Sequence, residues 1–407
     1  MSNRVFIHII FIGLTYSSLA SANCNPKSYE DVIVCAENTS PEAKIIQQKK
    51  EASSELEGAA AQFINPELDI ESVRKDSDKS ETSASLLFSF STGGKRSALK
   101  AEARAEKEKT EAEVELNIAM LRLNVMKQMY QLSHLRSEIL IEEESLSTFS
   151  KIISQFSKRA ALTPEQDVSI SIFKMAISDH QLSLTSLKNS YEEVLSNLVR
   201  ITNLSKEQIT TNLPNRKTSW QSTDIFKENL KTAPQLKFAE AELNLAKSQK
   251  EKALADSFPD LKIGPVIKMQ KDGNNTENFT GVGLSMPLPL LTLNSSARAY
   301  QSKKVVEAEM VLTNETKKIE TTHSLLVQKY NNLLTTLKSS PDKKTTEDRH
   351  NKIERLFFSG LVPSSLVIEA HRQLYDLEEN RNKTELEAIE TLGQIYILQN
   401  QFSGVIL

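Results

Sequence analysis

Apolar residues along much of this chain recur at alternating steps of three and four. One series runs Leu121, Val125, Leu132, Leu135, Ile139, Leu146, Phe149, Ile153 and Phe156, with Gln128 and Glu142 standing where apolar residues are due. A second, Phe173, Ile177, His180, Leu184, Leu187, Tyr191, Val194 and Leu198, is more regular. This is coiled-coil spacing, and it predicts a long helix over 94 to about 158 followed by an antiparallel return. At 1.5 Å per residue the first helix spans roughly 95 Å. Ala160-Ala161-Leu162-Thr163-Pro164-Glu165 between the two reads as a sharp hairpin tip.

Elsewhere the period changes to two. Val282, Leu284, Met286, Leu288 and Leu290 alternate with Gly281, Gly283, Ser285, Pro287 and Pro289. Leu86, Phe88 and Phe90 alternate with Ser85, Ser89 and Ser91, although Leu87 breaks the pattern. Strands from Pro66 to about 74 and from Pro259 to about 270 precede them, the second with Leu261, Ile263, Ile267 and Met269 opposite Lys262 and Lys268. Polar turns at 75–79 and 271–275 complete two hairpins, about 66–92 and 259–291. Such strands can cross a bilayer when tilted, but the same alternation fits a small soluble sheet packed on helices. The lipid-facing candidates are Leu86, Phe88, Phe90, Leu261, Ile263, Val282, Leu284, Met286 and Leu288.

The chain is duplicated, which decides its organisation. Asn38-Thr39-Ser40-Pro41-Glu42-Ala43-Lys44 resembles Lys231-Thr232-Ala233-Pro234-Gln235-Leu236-Lys237. Pro41 to Pro66 and Pro234 to Pro259 are both 25 residues, and Ser97 to Pro164 and Ser296 to Pro363 are both 67. Each half reads helix, two strands, long helix, turn, helix. The predicted division is a signal peptide at 1–22, a first repeat at 23–203, a linker or equatorial segment at 204–228, a second repeat at 229–402 and a tail at 403–407. Tips fall at about 160–165 and 359–364, the latter Ser359-Gly360-Leu361-Val362-Pro363-Ser364. Ser339-Ser340-Pro341-Asp342-Lys343-Lys344 predicts a break in the second long helix, about 339–347.

Composition supports long helices: of 407 residues only 11 are Gly and 12 Pro, with 25% charged. The net charge of −3 leaves no basic excess for nucleic acid. At the N-terminus Arg4, an apolar run from Val5 to Ile12 and Ala20-Ser21-Ala22 form a secretory signal. The only cysteines, Cys24 and Cys35, follow it closely. A disulfide stapling the N-terminal segment is the favoured reading in an oxidising compartment. The alternative is lipidation of Cys24, against which Asn23 stands where a small residue is expected.

Two phrases carry a family resemblance. Gly281-Val282-Gly283-Leu284-Ser285-Met286-Pro287-Leu288-Pro289-Leu290-Leu291-Thr292-Leu293-Asn294 resembles the last barrel strand of the TolC family of outer-membrane efflux channels running into its helix. Arg355-Leu356-Phe357-Phe358-Ser359-Gly360-Leu361-Val362-Pro363-Ser364-Ser365-Leu366-Val367-Ile368-Glu369-Ala370 is similar to that family's periplasmic hairpin tip. The resemblance spans about residues 28–402. The first half departs from it, with Ser89-Phe90-Ser91 in place of Pro-Leu-Pro and Ala161 in place of Gly360.

The resemblance implies a mainly α chain with a small transmembrane β part. It also implies a homotrimer: a twelve-stranded barrel continuing into a periplasmic helical barrel. Physics asks for the same closure, because four strands alone leave backbone groups unpaired in lipid. The implied role is the passive outer-membrane conduit of a tripartite efflux or type I secretion system. Its implied partners are outer-membrane lipid, a periplasmic adaptor and an inner-membrane pump of RND or ABC type. Thr163, Pro164, Gly360, Leu361, Val362 and Pro363 would meet the adaptor. The competing expectation is a soluble periplasmic coiled-coil structural or adaptor protein.

Catalytic chemistry has little support. Gly93-Gly94-Lys95 lacks phosphate-loop spacing, and neither cofactor nor metal is expected from the ligand spacings along the chain. His371 lies near Glu369 and Asp376 on what reads as a charged surface helix. Glu347, Asp348 and His350 could bind a metal but read rather as a solvated loop, and His180 reads as a satisfied core histidine. The charge run at 100–115 predicts i,i+4 pairs Arg104/Glu108, Lys107/Glu111 and Lys109/Glu113 on a wet helix face. Glu165, Asp167 and Glu369 are candidates for a cation-favouring ring at a tunnel entrance.

Overall fold

The computed structural model describes residues 24–76, 78–159, 161–222, 230–289 and 294–402. The signal peptide, Ala160 of the first tip, 223–228 of the linker, Leu290 to Leu293 and the tail at 403–407 lie outside the described residues. In order, the elements are α1 (Tyr29–Thr39), α2 (Pro41–Ser54), α3 (Leu56–Ala61), β1 (Glu67–Asp76), β2 (Lys79–Phe90), α4 (Lys95–Ser157), α5 (Pro164–Thr202) and α6 (Lys206–Thr210). A 3-10 turn at Leu230–Thr232 precedes α7 (Pro234–Ala255), β3 (Leu261–Asp272), β4 (Asn275–Ser285), α8 (Ser295–Ser339), α9 (Lys343–Phe358) and α10 (Ser364–Leu398).

Local chemistry sets the helix ends. Ser40 accepts the Ala43 amide, and Pro41 and Pro234 open α2 and α7 where a missing N–H is harmless. Thr163 and Gln166 close a reciprocal capping box at the start of α5. Asn203 ends α5 in the left-handed conformation. Pro341 ends the α8 run, Asp342 caps α9 by accepting the Thr345 amide at 2.8 Å, and Arg381 donates to Ser340 Oγ and the Pro341 carbonyl across the gap.

α4 is buried on two sides, which the single predicted seam does not convey. Leu121, Val125, Met129 and Leu132 pack with Val32, Cys35, Leu195 and Leu198 of α1 and α5. The offset row Met126 and Tyr130 packs with Tyr330, Ile389, Leu392 and Ile395 of α8 and α10. Residues 203–222 wrap this mid-section. Ser133 donates to the Pro214 carbonyl, Arg216 to Glu378 and Asn382, and the Lys217 amide to the buried Glu385. Gln208 and Asn212 fasten the wrap to the Cys24 and Pro26 carbonyls. Cys24 and Cys35 form a disulfide with their Cα atoms 5.8 Å apart.

The charged stretch of α4 is wet on one face only, at Lys100, Arg104, Glu108 and Glu111. Ala105, Thr110, Ala112 and Val114 are buried against neighbouring helices. The expected i,i+4 pairs are replaced by cross-helix ones: Arg104 and Lys107 with Glu57, Lys109 with Glu242, and Glu113 with Lys49. Small side chains let α3 and α7 approach α4, and those helices bring carboxylates nearer than the next turn of α4 does.

Candidate functional site: the sheet and the hairpin tips

The four strands form one antiparallel sheet in the order β1-β2-β3-β4. Directly paired residues share a face, so the register sorts every side chain. Leu68 opposes Leu86, Ile70 opposes Ala84, Phe88 opposes Ile263, Phe90 opposes Leu261, and Ile263 and Pro265 oppose Leu284 and Val282. Seven of the sequence candidates therefore share one apolar face with Leu68, Ile70, Ile267 and Met269. Met286 and Leu288 continue its alternation beyond the end of β4. Most of that face is open among the described residues: Val282 is 79% exposed, Leu284 69% and Ile70 63%.

The reverse face is polar. It carries Glu67, Asp69, Glu71, Ser83, Ser85, Lys262, Lys268 and Gln270 by the same register. Ion pairs bridge strands across it: Lys262 to Glu67, Lys268 to Glu81 at 2.5 Å and Lys79 to Asp272 at 2.9 Å. Leu87, which breaks the sequence alternation, lies on this face opposite Glu67. Beside it the β2–β3 ladder lapses over Leu86 and Leu87, where Pro265 offers no N–H. A Cβ at Gly264 would fall 1.8 Å from the Leu86 carbonyl oxygen, so only glycine admits this approach. The outer edges of β1 and β4 have no strand partner among the described residues.

At the far end of the molecule the two tips lie side by side. Ser364 at the start of α10 donates to Ser169 of α5 at 2.9 Å. Phe149, Ile152, Phe173 and Val367 form a buried cluster behind them, with Phe357 edge-on to Phe173. Gly360 takes φ +74° and ends α9 with its amide on the Phe357 carbonyl and the Leu361 amide on Leu356. Thr163 and Pro164 are exposed, as are Leu162, Leu361 and Phe358, an apolar trio at the tips. Glu165 and Asp167 are exposed in the first turn of α5. Glu369 differs, because Arg372 donates to both of its oxygens and holds its carboxyl below the usual carboxylate range.

Two sequence expectations are corrected behind the tips. His371 is fully buried, not on a surface helix, and His350 lies buried in α9, not in a solvated loop. Between them stands Glu354, with Oε1 3.1 Å from His371 Nε2 and 3.4 Å from His350 Nε2. His180 is buried, bonds Glu142 and meets the edge of Phe149. The His350–Glu354 spacing of four residues on one helix face was visible in the sequence, but the third member is seventeen residues past Glu354 and beyond a turn.

No family model matches the sequence, and no curated protein matches it. Solved structures do. VceC from Vibrio cholerae, described as an outer membrane protein, is 16% identical, superposes with a TM-score of 0.70, and covers 91% of this chain and 96% of its own. The Campylobacter jejuni CmeC outer membrane channel is 11% identical at a TM-score of 0.72, covering 92% and 86%. The Neisseria gonorrhoeae MtrE outer membrane channel, in its open state, is 11% identical at 0.70, covering 91% and 88%. The chain has the fold of the TolC-like outer-membrane factors: a helical shaft with a four-stranded β part. At these identities the likeness is one of architecture.

Proposed function

We propose that three copies of this chain close a twelve-stranded barrel in the outer membrane and continue as a helical tunnel through the periplasm. The observation that carries this is the sheet, apolar and uncovered on one side, charged on the other and open at both edges. An apolar face of this extent is incompatible with water but suits hydrocarbon. In lipid each unpaired backbone group along its free edges would cost several kcal/mol unless β4 of one copy pairs β1 of the next. The polar face then lines the lumen. A soluble periplasmic rod gives the apolar face no partner.

The role is that of a passive conduit from periplasm to exterior in a tripartite efflux or type I secretion system. An inner-membrane pump of RND or ABC type supplies the energy, and a periplasmic adaptor meets Thr163, Pro164 and Gly360 to Pro363. The exposed Leu162, Phe358 and Leu361 fit an apolar contact there. Glu165 and Asp167 are placed to favour cations at the entrance, while Glu369 is compensated by Arg372.

Purified protein should run as a heat-sensitive trimer and conduct in planar lipid. A monomer that stays soluble without detergent and passes no current would refute the proposal. Charge reversal at Glu165 and Asp167 should lower cation selectivity; unchanged reversal potentials would remove that part alone.

A further inference from the structure

We propose that His350, Glu354 and His371 form a binding site for a borderline divalent cation of the Zn2+ class, clipping α9 to α10 behind the second tip. Among the described residues of α9 only His350 is buried, and neither of its ring nitrogens has a hydrogen-bond partner. Its Nε2 meets only the Glu354 carboxylate, at 3.4 Å, and its Nδ1 has no partner, so a ligand at this ring would relieve an unfavourable burial. Its ring meets that of His371 edge-on, 4.3 Å between centroids.

His371 supplies the second observation. Ser145 donates its one hydroxyl proton to the Ile141 carbonyl at 2.9 Å. The same oxygen lies 2.9 Å from His371 Nδ1 and anchors that side of the ring. Nε2 faces the carboxylate Oε1 of Glu354 at 3.1 Å. A cation seated between them would take a lone pair from each.

The dimensions suit a metal ion. Nitrogen and oxygen ligands at about 2.0–2.2 Å around a tetrahedral ion lie roughly 3.3–3.6 Å from one another. The Glu354 oxygen lies 3.1 and 3.4 Å from the two imidazole nitrogens, and all three ligand atoms fall within 4.8 Å of one another. Two imidazoles and one carboxylate select zinc-like ions over Mg2+ or Ca2+, which take oxygen shells. Ser145 behind His371 is the orienting partner that metal-bound histidines usually have. Gly360 is ten residues beyond His350, about 15 Å along a helix, so the clip would stiffen the base of the second tip.

The test uses tag-free, full-length protein in detergent, stripped with chelator and titrated with Zn2+ and with Co2+. One equivalent per chain is expected, with the intense visible bands of tetrahedral Co2+, and no displacement by excess Mg2+. His350→Gln, Glu354→Gln and His371→Gln should abolish binding, and the exposed Asp348→Asn should leave it intact. Should the histidine variants fail to fold, Ser145→Ala keeps the test open: it should weaken zinc about 10- to 100-fold while far-UV circular dichroism stays unchanged. Absence of zinc uptake by the wild-type protein would overturn the proposal, as would unchanged uptake by His350→Gln/His371→Gln. Neither readout involves conductance or trimerisation, so this proposal and the channel reading fail separately.

Discussion

The proposed lipid face is most sharply tested at Val282. On β3 the apolar side runs from Leu261 to Met269, eight steps, or about 27 Å along the strand and roughly 20 Å along the membrane normal at a tilt near 40°. Its midpoint is Pro265, whose partner on β4 is Val282. Val282→Arg therefore places a guanidinium at mid-bilayer, where the penalty is about 2–4 kcal/mol, an equilibrium shift of roughly 30- to 900-fold per chain. In the proposed trimer every barrel carries three copies. Gly281→Arg is the matched control: its neighbour in sequence points to the polar face, where an added Cβ meets nothing within 4 Å. Met269→Arg, near the outer end of the face, should fall to about 0–1 kcal/mol. Folding into lipid vesicles across a urea series, read from the heat-sensitive gel band, measures all three. If Val282→Arg inserts as well as Gly281→Arg, the assignment of faces is wrong.

Three further outcomes are expected. Cys24→Ser, which opens the Cys24–Cys35 loop, should lower stability by roughly 2–3 kcal/mol in denaturant titrations, and reductant should do the same to the wild type but not to the variant. Glu138 is buried, accepts from Asn382 at 2.8 Å, and has its pKa raised chiefly by desolvation. A carboxyl raised above its unfolded value opposes folding at neutral pH, and the opposition fades as pH falls through the folded pKa toward 4.5. Glu138→Gln should thus raise Tm at pH 8 more than at pH 5, and an equal gain at both would contradict the burial argument. Gly360→Val should loosen the second tip by about 1–2 kcal/mol, because φ +74° is unfavourable for any L side chain although space is free. Amide exchange over 356–364 reports it, while Ala161→Val, at a position without positive φ, should leave exchange in the first tip unchanged.

The long helices and both hairpins were legible because each depends on a period repeated many times. The tip at Thr163-Pro164 and the Pro341 break were legible because they are local. What the pattern concealed depends on contacts between distant segments. Leu87 looks like an error of alternation until β3 is laid beside it and the ladder opens at Pro265. Met126 and Tyr130 fall outside the predicted seam because a second helical layer, which no window along α4 reveals, packs against its other side. His350 and His371 look solvent-facing for the same reason: both sit among charged neighbours in sequence, and the turn at Gly360 folds α9 and α10 together and buries them.

The open edges of β1 and β4 bear on how such a molecule comes into being. In the proposed trimer no single copy can enter the bilayer and wait there, since its rim would remain unsatisfied until two others arrive. Insertion and association must then be one event, with a population of finished pores that scales as the third power of the concentration of free chains. A modest fall in synthesis would be felt as a steep loss of pores, and a minority of damaged chains would spoil many more assemblies than their own number.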